Sequence, residues 1–242
     1  APLRYSVTQE DATVTADRLS SGGGPGFDVW VVPEPWPEMV DAVRARGGLP
    51  PLFPQHAGPV ASSPLVSITS STARCDWKCV GTGASRIGAV APTKSLGLLE
   101  LGAAASGHLG RADFAANDFD AAFQSWVTSF TGRIEATDQP TTRLLQSRAF
   151  FDIAITFEVE GHRELARASA DRKAGLTLQY PAPVAHLDVV IVDVGAALAD
   201  RARDVPGALG AALRAEGWQA PDATPSGLPK AGVLVALRAL VR

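Results

Sequence analysis

Two cysteines, four histidines and a few short glycine-bearing segments are the residues whose types and spacing could carry chemistry in this chain. Cys75 and Cys79 lie in Arg74-Cys75-Asp76-Trp77-Lys78-Cys79, and no further cysteine joins them to complete a four-ligand metal site. One helical turn or a tight loop brings such a pair within the roughly 4.4–6.8 Å Cα separation that a disulfide tolerates; the alternative is two free thiols. A lone structural bridge goes with an oxidising, extracytoplasmic setting, whereas reduced thiols leave the compartment open. His56, His108, His162 and His186 show neither His-x3-His nor His-Glu-x-x-His spacing, so they give no metal signature and read as surface or loop histidines.

The catalytic motifs fail at definite positions. Gly83-Ala84-Ser85-Arg86-Ile87 ends in isoleucine where a nucleophile elbow needs glycine to expose its serine. Gly22-Gly23-Gly24-Pro25-Gly26 lacks the lysine and the helix of a phosphate-binding loop and reads as a flexible turn. Gly81-Thr82-Gly83 opens like a dinucleotide fingerprint but has Arg86 where the third glycine belongs. The chain therefore reads as a binder and not an enzyme, with no cofactor and no resident metal.

Two loops are suited to holding a ligand. Pro33-Glu34-Pro35-Trp36-Pro37 follows an apolar strand, at the carboxyl end where open α/β sheets collect ligands. Glu34 can accept a hydrogen bond and Trp36 can stack, or the segment is a rigid turn whose tryptophan packs inward. Pro92-Thr93-Lys94-Ser95 precedes a helix, where free amides, two hydroxyls and a lysine suit an anionic group; a plain helix cap accounts for the same residues.

The elements that must position these loops can be read from periodicity. Strands are expected at 3–7, 27–32, 65–69, 86–91, 150–157, 176–180 and 187–194, and helices at 11–19, 38–46, 96–108, 113–130, 141–149, 162–170 and 205–216. The clearest helix is 113–130, with Phe119, Phe123, Trp126, Val127 and Phe130 on one face. Residues 49–64 are proline-rich and read as a surface connection, with a boundary near Val60. Segment 74–84 has no clear periodicity. Alternation of strands and helices is the pattern of a parallel-rich sheet covered by helices.

Composition bounds the function. At 242 residues, 46% hydrophobic and 19% charged, the chain folds as one large core or two smaller ones. Its formal charge of −3 advertises neither nucleic acid nor an anionic membrane as partner. No apolar run approaches the roughly 18–20 residues that span a bilayer. Ala1 shows no basic or apolar signal region and reads as a processed or cloned boundary. Arginine outnumbers lysine 18 to 4, a bias of GC-rich, bacterial coding.

In their order, these pieces resemble type II periplasmic solute-binding proteins, in particular the divergent bacterial substrate-binding-like domains found beside von Willebrand A modules. Phe27-Asp28-Val29-Trp30-Val31-Val32-Pro33-Glu34-Pro35-Trp36 resembles the family's Asp-Val-Trp strand and following loop. Ala91-Pro92-Thr93-Lys94-Ser95-Leu96-Gly97 resembles its Asp-Pro-Thr-Arg-Ser-x-Gly segment, and Phe151-Asp152-Ile153-Ala154-Ile155-Thr156-Phe157-Glu158 the strand returning from the second lobe. Tyr180-Pro181 resembles a crossover motif, and Glu216-Gly217-Trp218-Gln219-Ala220-Pro221-Asp222 a common tail.

The resemblance implies an α/β, bilobal fold of two mixed sheets flanked by helices, with 1–65 plus 176–242 as lobe one and 66–175 as lobe two. The family's opening strand, serine loop and helix are missing or shortened before Leu3. It also implies an extracytoplasmic module that captures a small ligand between the lobes through Glu34, Trp36, Thr93, Lys94, Ser95, Glu158 and Tyr180. Its partners would be that ligand and a transporter or membrane-anchored protein. Glu34 stands where the family has a small hydroxyl, which disfavours an oxyanion there by like-charge repulsion. The alternative is a protein-interaction or sensory ectodomain that keeps the fold without a working cleft, the cleft being filled by side chains such as Trp36.

Overall fold

The computed structural model describes residues 6–54, 56–70, 76–83, 85–193, 205–221 and 226–242. Its organising element is β2 (Ala61–Thr69), nine consecutive buried residues. Burial on both faces is what a central crossing strand requires. The first half of β2 pairs antiparallel with β7 (His186–Asp193), which pairs in turn with β1 (Val29–Pro33). Its second half lies between β6 (Thr177–Gln179) and β5 (Ile153–Phe157), both antiparallel to it. Beyond β5 come β3 (Ile87–Ala89) and β4 (Ile134–Ala136), so the order is β1-β7-β2-β5-β3-β4 with β6 against β2.

Two expectations are corrected here. The stretch 49–64 is not all surface connection, because β2 begins at Ala61 and includes Pro64. Pro64 pairs with His186, and the next residue, Leu65, pairs with Phe157, so the residue without an amide sits where the strand changes partner. The sheet is also not parallel-rich. Among the described residues only β3 pairs in parallel, with β4 and β5, because β2 crosses the molecule in one direction while β5 and β7 return in the other.

Helices cover the strands. α1 (Ala12–Ser20), α2 (Trp36–Arg46) and α10 (Ala231–Leu240) lie together, with α1 and α10 each against α2. α3 (Trp77–Thr82) packs on α4 (Ser95–Leu109), which is buried from Gly97 to Gly107. The expected helix 113–130 is broken: a short 3-10 turn, Ala116–Asp118, precedes α5 (Ala121–Thr131). Aspartates cause the break, since Asp118 accepts from the Ala115 amide at 2.8 Å and Asp120 caps α5 through the Phe123 amide at 2.8 Å. α6 (Pro140–Gln146), α7 (Glu158–Arg167), α8 (Ala170–Lys173) and α9 (Val205–Ala215) complete the set. α7 starts at Glu158, directly off β5, where a polar exit was expected.

One large apolar cluster runs from Trp30, Trp36 and Val190 through Trp77 and Ile87 to Trp126 and Phe130, and a smaller one holds Ile68, Leu144, Phe151 and Ala154. Among the described residues no helix is long and apolar enough to cross a membrane. The expected strand 3–7 lies mostly outside the described residues, as does Cys75. Cys79 sits in the first turn of α3, its amide donating to Asp76 at 2.8 Å.

Candidate ligand site

At the carboxyl end of β1 the chain turns at once into α2, which places Glu34 beside Glu38 of the first helical turn. The backbone amide of Glu34 donates to the Asp188 carbonyl at 2.7 Å, tying this turn to β7. His56, from the loop before β2, reaches Glu38 with Nε2 at 2.7 Å from Oε1 and meets the Ala57 carbonyl with Nδ1 at 3.0 Å. Glu34, Glu38 and His56 each offer one ligand atom, all within 4.8 Å of one another. Burial raises the Glu34 carboxyl above its ordinary range, and the charges of Glu38 and Asp188 push it further than His56 pulls it back. Burial opposes the His56 proton, but the Ala57 carbonyl and Glu38 outweigh it, so His56 titrates higher than usual. The second oxygen of Glu38 is buried and has no hydrogen-bond partner among the described residues. Half-buried carboxylates crowded this way repel one another, and a cation would relieve them.

Trp36 is corrected. It is fully buried and offers no stacking face, lying under the Arg238 guanidinium at 5.6 Å from the ring centroid. The inward-packing alternative holds, because an indole at the start of a helix that packs against α1 and α10 joins the core.

The Thr93-Lys94-Ser95 turn is the start of α4. Gly97 lets the helix begin there, since a Cβ at that position would stand 2.2 Å from the Ala91 carbonyl oxygen. Ser95 and Lys94 are already engaged. Ser95 gives its amide to Asp11 at 3.1 Å and its hydroxyl at 3.0 Å, and Lys94 Nζ holds both Asp138 oxygens at 2.8 and 2.9 Å. Thr93 is exposed.

Glu158 and Tyr180 are brought together: the tyrosine hydroxyl donates to Glu158, which also accepts from the Gln219 side chain, and His162 stands 3.9 Å from the same carboxylate. Burial and the Glu158 carboxylate push the Tyr180 hydroxyl up to about 12, so it stays a donor. Glu34 and Ser95 thus sit in separate clusters from Glu158 and Tyr180. Asp11, Glu38, His56 and Gln219 were missed from the sequence. Asp11 alone carried a signal, as the acid immediately before an expected helix.

No family model and no curated protein matches the sequence. Solved structures do. The ferric binding protein from Campylobacter jejuni aligns over 99% of this chain and 88% of its own, with TM-score 0.61 and 10% identity. The periplasmic binding protein P5PA covers 93% of this chain and 79% of its own, at TM-score 0.55 and 13% identity. A putative spermidine/putrescine ABC transporter protein from Listeria monocytogenes covers 77% of this chain at TM-score 0.53 and 13% identity; this chain spans only 63% of that protein. The α/β fold, with its mixed strands and flanking helices, is therefore that of the type II periplasmic substrate-binding proteins.

Proposed function

We propose that this chain is an extracytoplasmic solute-binding-like module that captures a small cationic ligand between two lobes, 1–65 with 176–242 and 66–175, without transforming it. The observation that carries the reading is the crowding of Glu34, Glu38 and Asp188 at the carboxyl end of β1, with His56 beside them. Such a group favours a positive ligand by several charge contacts at once, and it stands where an α/β sheet receives ligands. Two of the structures similar in fold are described as proteins for ferric iron and for spermidine/putrescine, both cations. Glu34, Glu38 and His56 suit a single ion or an ammonium end; Glu158 at the start of α7 and Tyr180 just after β6 are assigned as further contacts. A transporter or a membrane-anchored protein is the assigned partner. Cys75 and Cys79 are assigned to one disulfide, which an intact mass lower by two hydrogens than the reduced sequence would verify.

An interaction or sensory ectodomain is the second reading. One observation favours it: a groove of about 450 Å³ between α1, α2 and α10, lined by Met39, Val43 and Arg238. Thermal melts against transition-metal ions, spermidine, sulfate and sugars at constant ionic strength decide between them. Binding to the native state alone adds about 2.7 kcal/mol when ligand is at 100 times its dissociation constant. A saturable rise with one cationic class supports capture; a flat response favours the second reading, and a rise with an oxyanion alone overturns the cationic one.

A further inference from the structure

Glu34 and Glu38 are placed by their own segment, β1 running into α2, whereas His56 comes from a separate loop and needs a tether. α2 supplies one. Glu38, Asp41 and Arg44 are spaced three apart on that helix, so successive ones are neighbours on its surface, and they meet the returning loop in reverse order. Arg44 donates from Nε to the Pro50 carbonyl at 2.7 Å. Asp41 accepts from the Leu52 amide at 2.7 Å and the Phe53 amide at 2.9 Å. Glu38 Oε1 stands 2.7 Å from Nε2 of His56. Between these contacts the buried Phe53 ring packs 5.9 Å, centroid to centroid, from Trp30.

We propose that Asp41 is the positioning residue of the Glu34, Glu38 and His56 cluster: it offers no atom to a ligand but pins the loop, so that the imidazole stands ready against Glu38. Each Asp41 oxygen takes one amide of that loop, and a charged acceptor makes the stronger kind of hydrogen bond. Arg44 has a wider duty, since it also donates to the Leu19 carbonyl at 2.6 Å and its loss would disturb α1. Without Asp41 the loop keeps Pro50 and the Phe53 ring as anchors. His56, three residues beyond Phe53, would then sample more orientations than the one that meets Glu38. Ordering the ring would subtract from binding, whereas a preorganised ring loses nothing. Asp41's part in holding an ion rests on the cationic reading of the Glu34 cluster; its hold on His56 does not.

Two readouts on Asp41→Ala and Asp41→Asn test this, the asparagine keeping one acceptor oxygen. Diethyl pyrocarbonate acylates unprotonated imidazole, and mass spectrometry follows its rate at each histidine. His56 should react several-fold faster in Asp41→Ala than in wild type. His108, stacked on Trp126, and His186, beside Ser62, lie outside the loop and should keep their wild-type rates. Calorimetric titration with nickel(II), an ion that imidazole suits, should show binding at least about tenfold weaker in Asp41→Ala than in wild type. Asp41→Asn should fall between the two in both readouts, and it decides the matter if Asp41→Ala does not fold. An unchanged His56 rate in a folded variant overturns the proposal, as does nickel binding at wild-type strength once His56 is freed. Acceleration at all three histidines would mark a general loosening and overturn it too. A wild type that takes up no nickel, with His56 still freed by the substitution, would instead refute the cationic reading for this class of ion and leave Asp41 as the residue that places His56.

Discussion

Glu34 sets a trade between stability and binding. Its folded-state carboxyl titrates above its ordinary value, so its contribution to stability is complete below the ordinary value and is lost as pH rises through the raised one. At neutral pH the charge is a cost of the ligand-free state. Glu34→Gln should therefore raise the melting temperature without ligand and shrink any cation-induced rise, a reversal of sign that a general packing defect would not give. Asp11 behaves oppositely. Burial alone would raise it, but the Thr13 and Ser95 bonds outweigh burial and hold it low, with Lys94 the nearby positive charge. Its contribution is present above the ordinary value of 3.8 and is lost as pH falls through the lower folded value, so Asp11→Asn should flatten the acid limb of a stability–pH curve. Glu34, Ser95, Glu158 and Tyr180 were legible as polar residues in their loops and strand ends. Their partners were not, because His56 meets Glu38 across 18 positions and Ser95 meets Asp11 across 84, separations that local spacing does not encode.

Elements were legible where their own residues stabilise them and illegible where distant residues do. α1, α2, α4 and β5 follow from apolar periodicity and end signals in their own segments. α3 is six residues long, and its last carbonyls are satisfied by Arg133, whose guanidinium accepts nothing and donates to Val80, Gly81 and Gly83. That support comes from beyond α5, so the segment 74–84 had no readable pattern. α4 makes the point testable through two of its glycines. A Cβ at Gly107 would stand 2.0 Å from the Trp77 Cβ and 2.9 Å from its carbonyl carbon, whereas one at Gly102 would meet the end of the Leu234 side chain at 2.7 Å. Backbone cannot give way as a leucine methyl can. Urea melts should show Gly107→Ala destabilised by about 1–3 kcal/mol or more, and Gly102→Ala by clearly less.

For the whole molecule, the chain reaches a binding-protein fold at 10% identity to a structure that covers nearly all of it. In this chain the fold is carried by the order of its strands and helices, with β2 crossing between two groups of strands and β5 and β7 returning. Much of that order was readable because apolar runs mark strands, but the short β4 and α3 and the C-terminal α10 were not expected, and the strand directions were not readable, since an apolar run reads the same in either sense. The acidic cluster depends on the same arrangement: β1 and β7 lie side by side, so Glu34 and Asp188 meet.

The most direct test of cation capture is calorimetric titration of the purified chain, and of a Glu34→Gln, Glu38→Gln double variant, with the cation that raises the melting temperature most. Wild type should bind saturably and one-to-one, and binding should weaken at least about tenfold in the variant, a loss of about 1.4 kcal/mol or more. Equal binding by the two proteins, with both folded, would contradict it and place the ligand elsewhere.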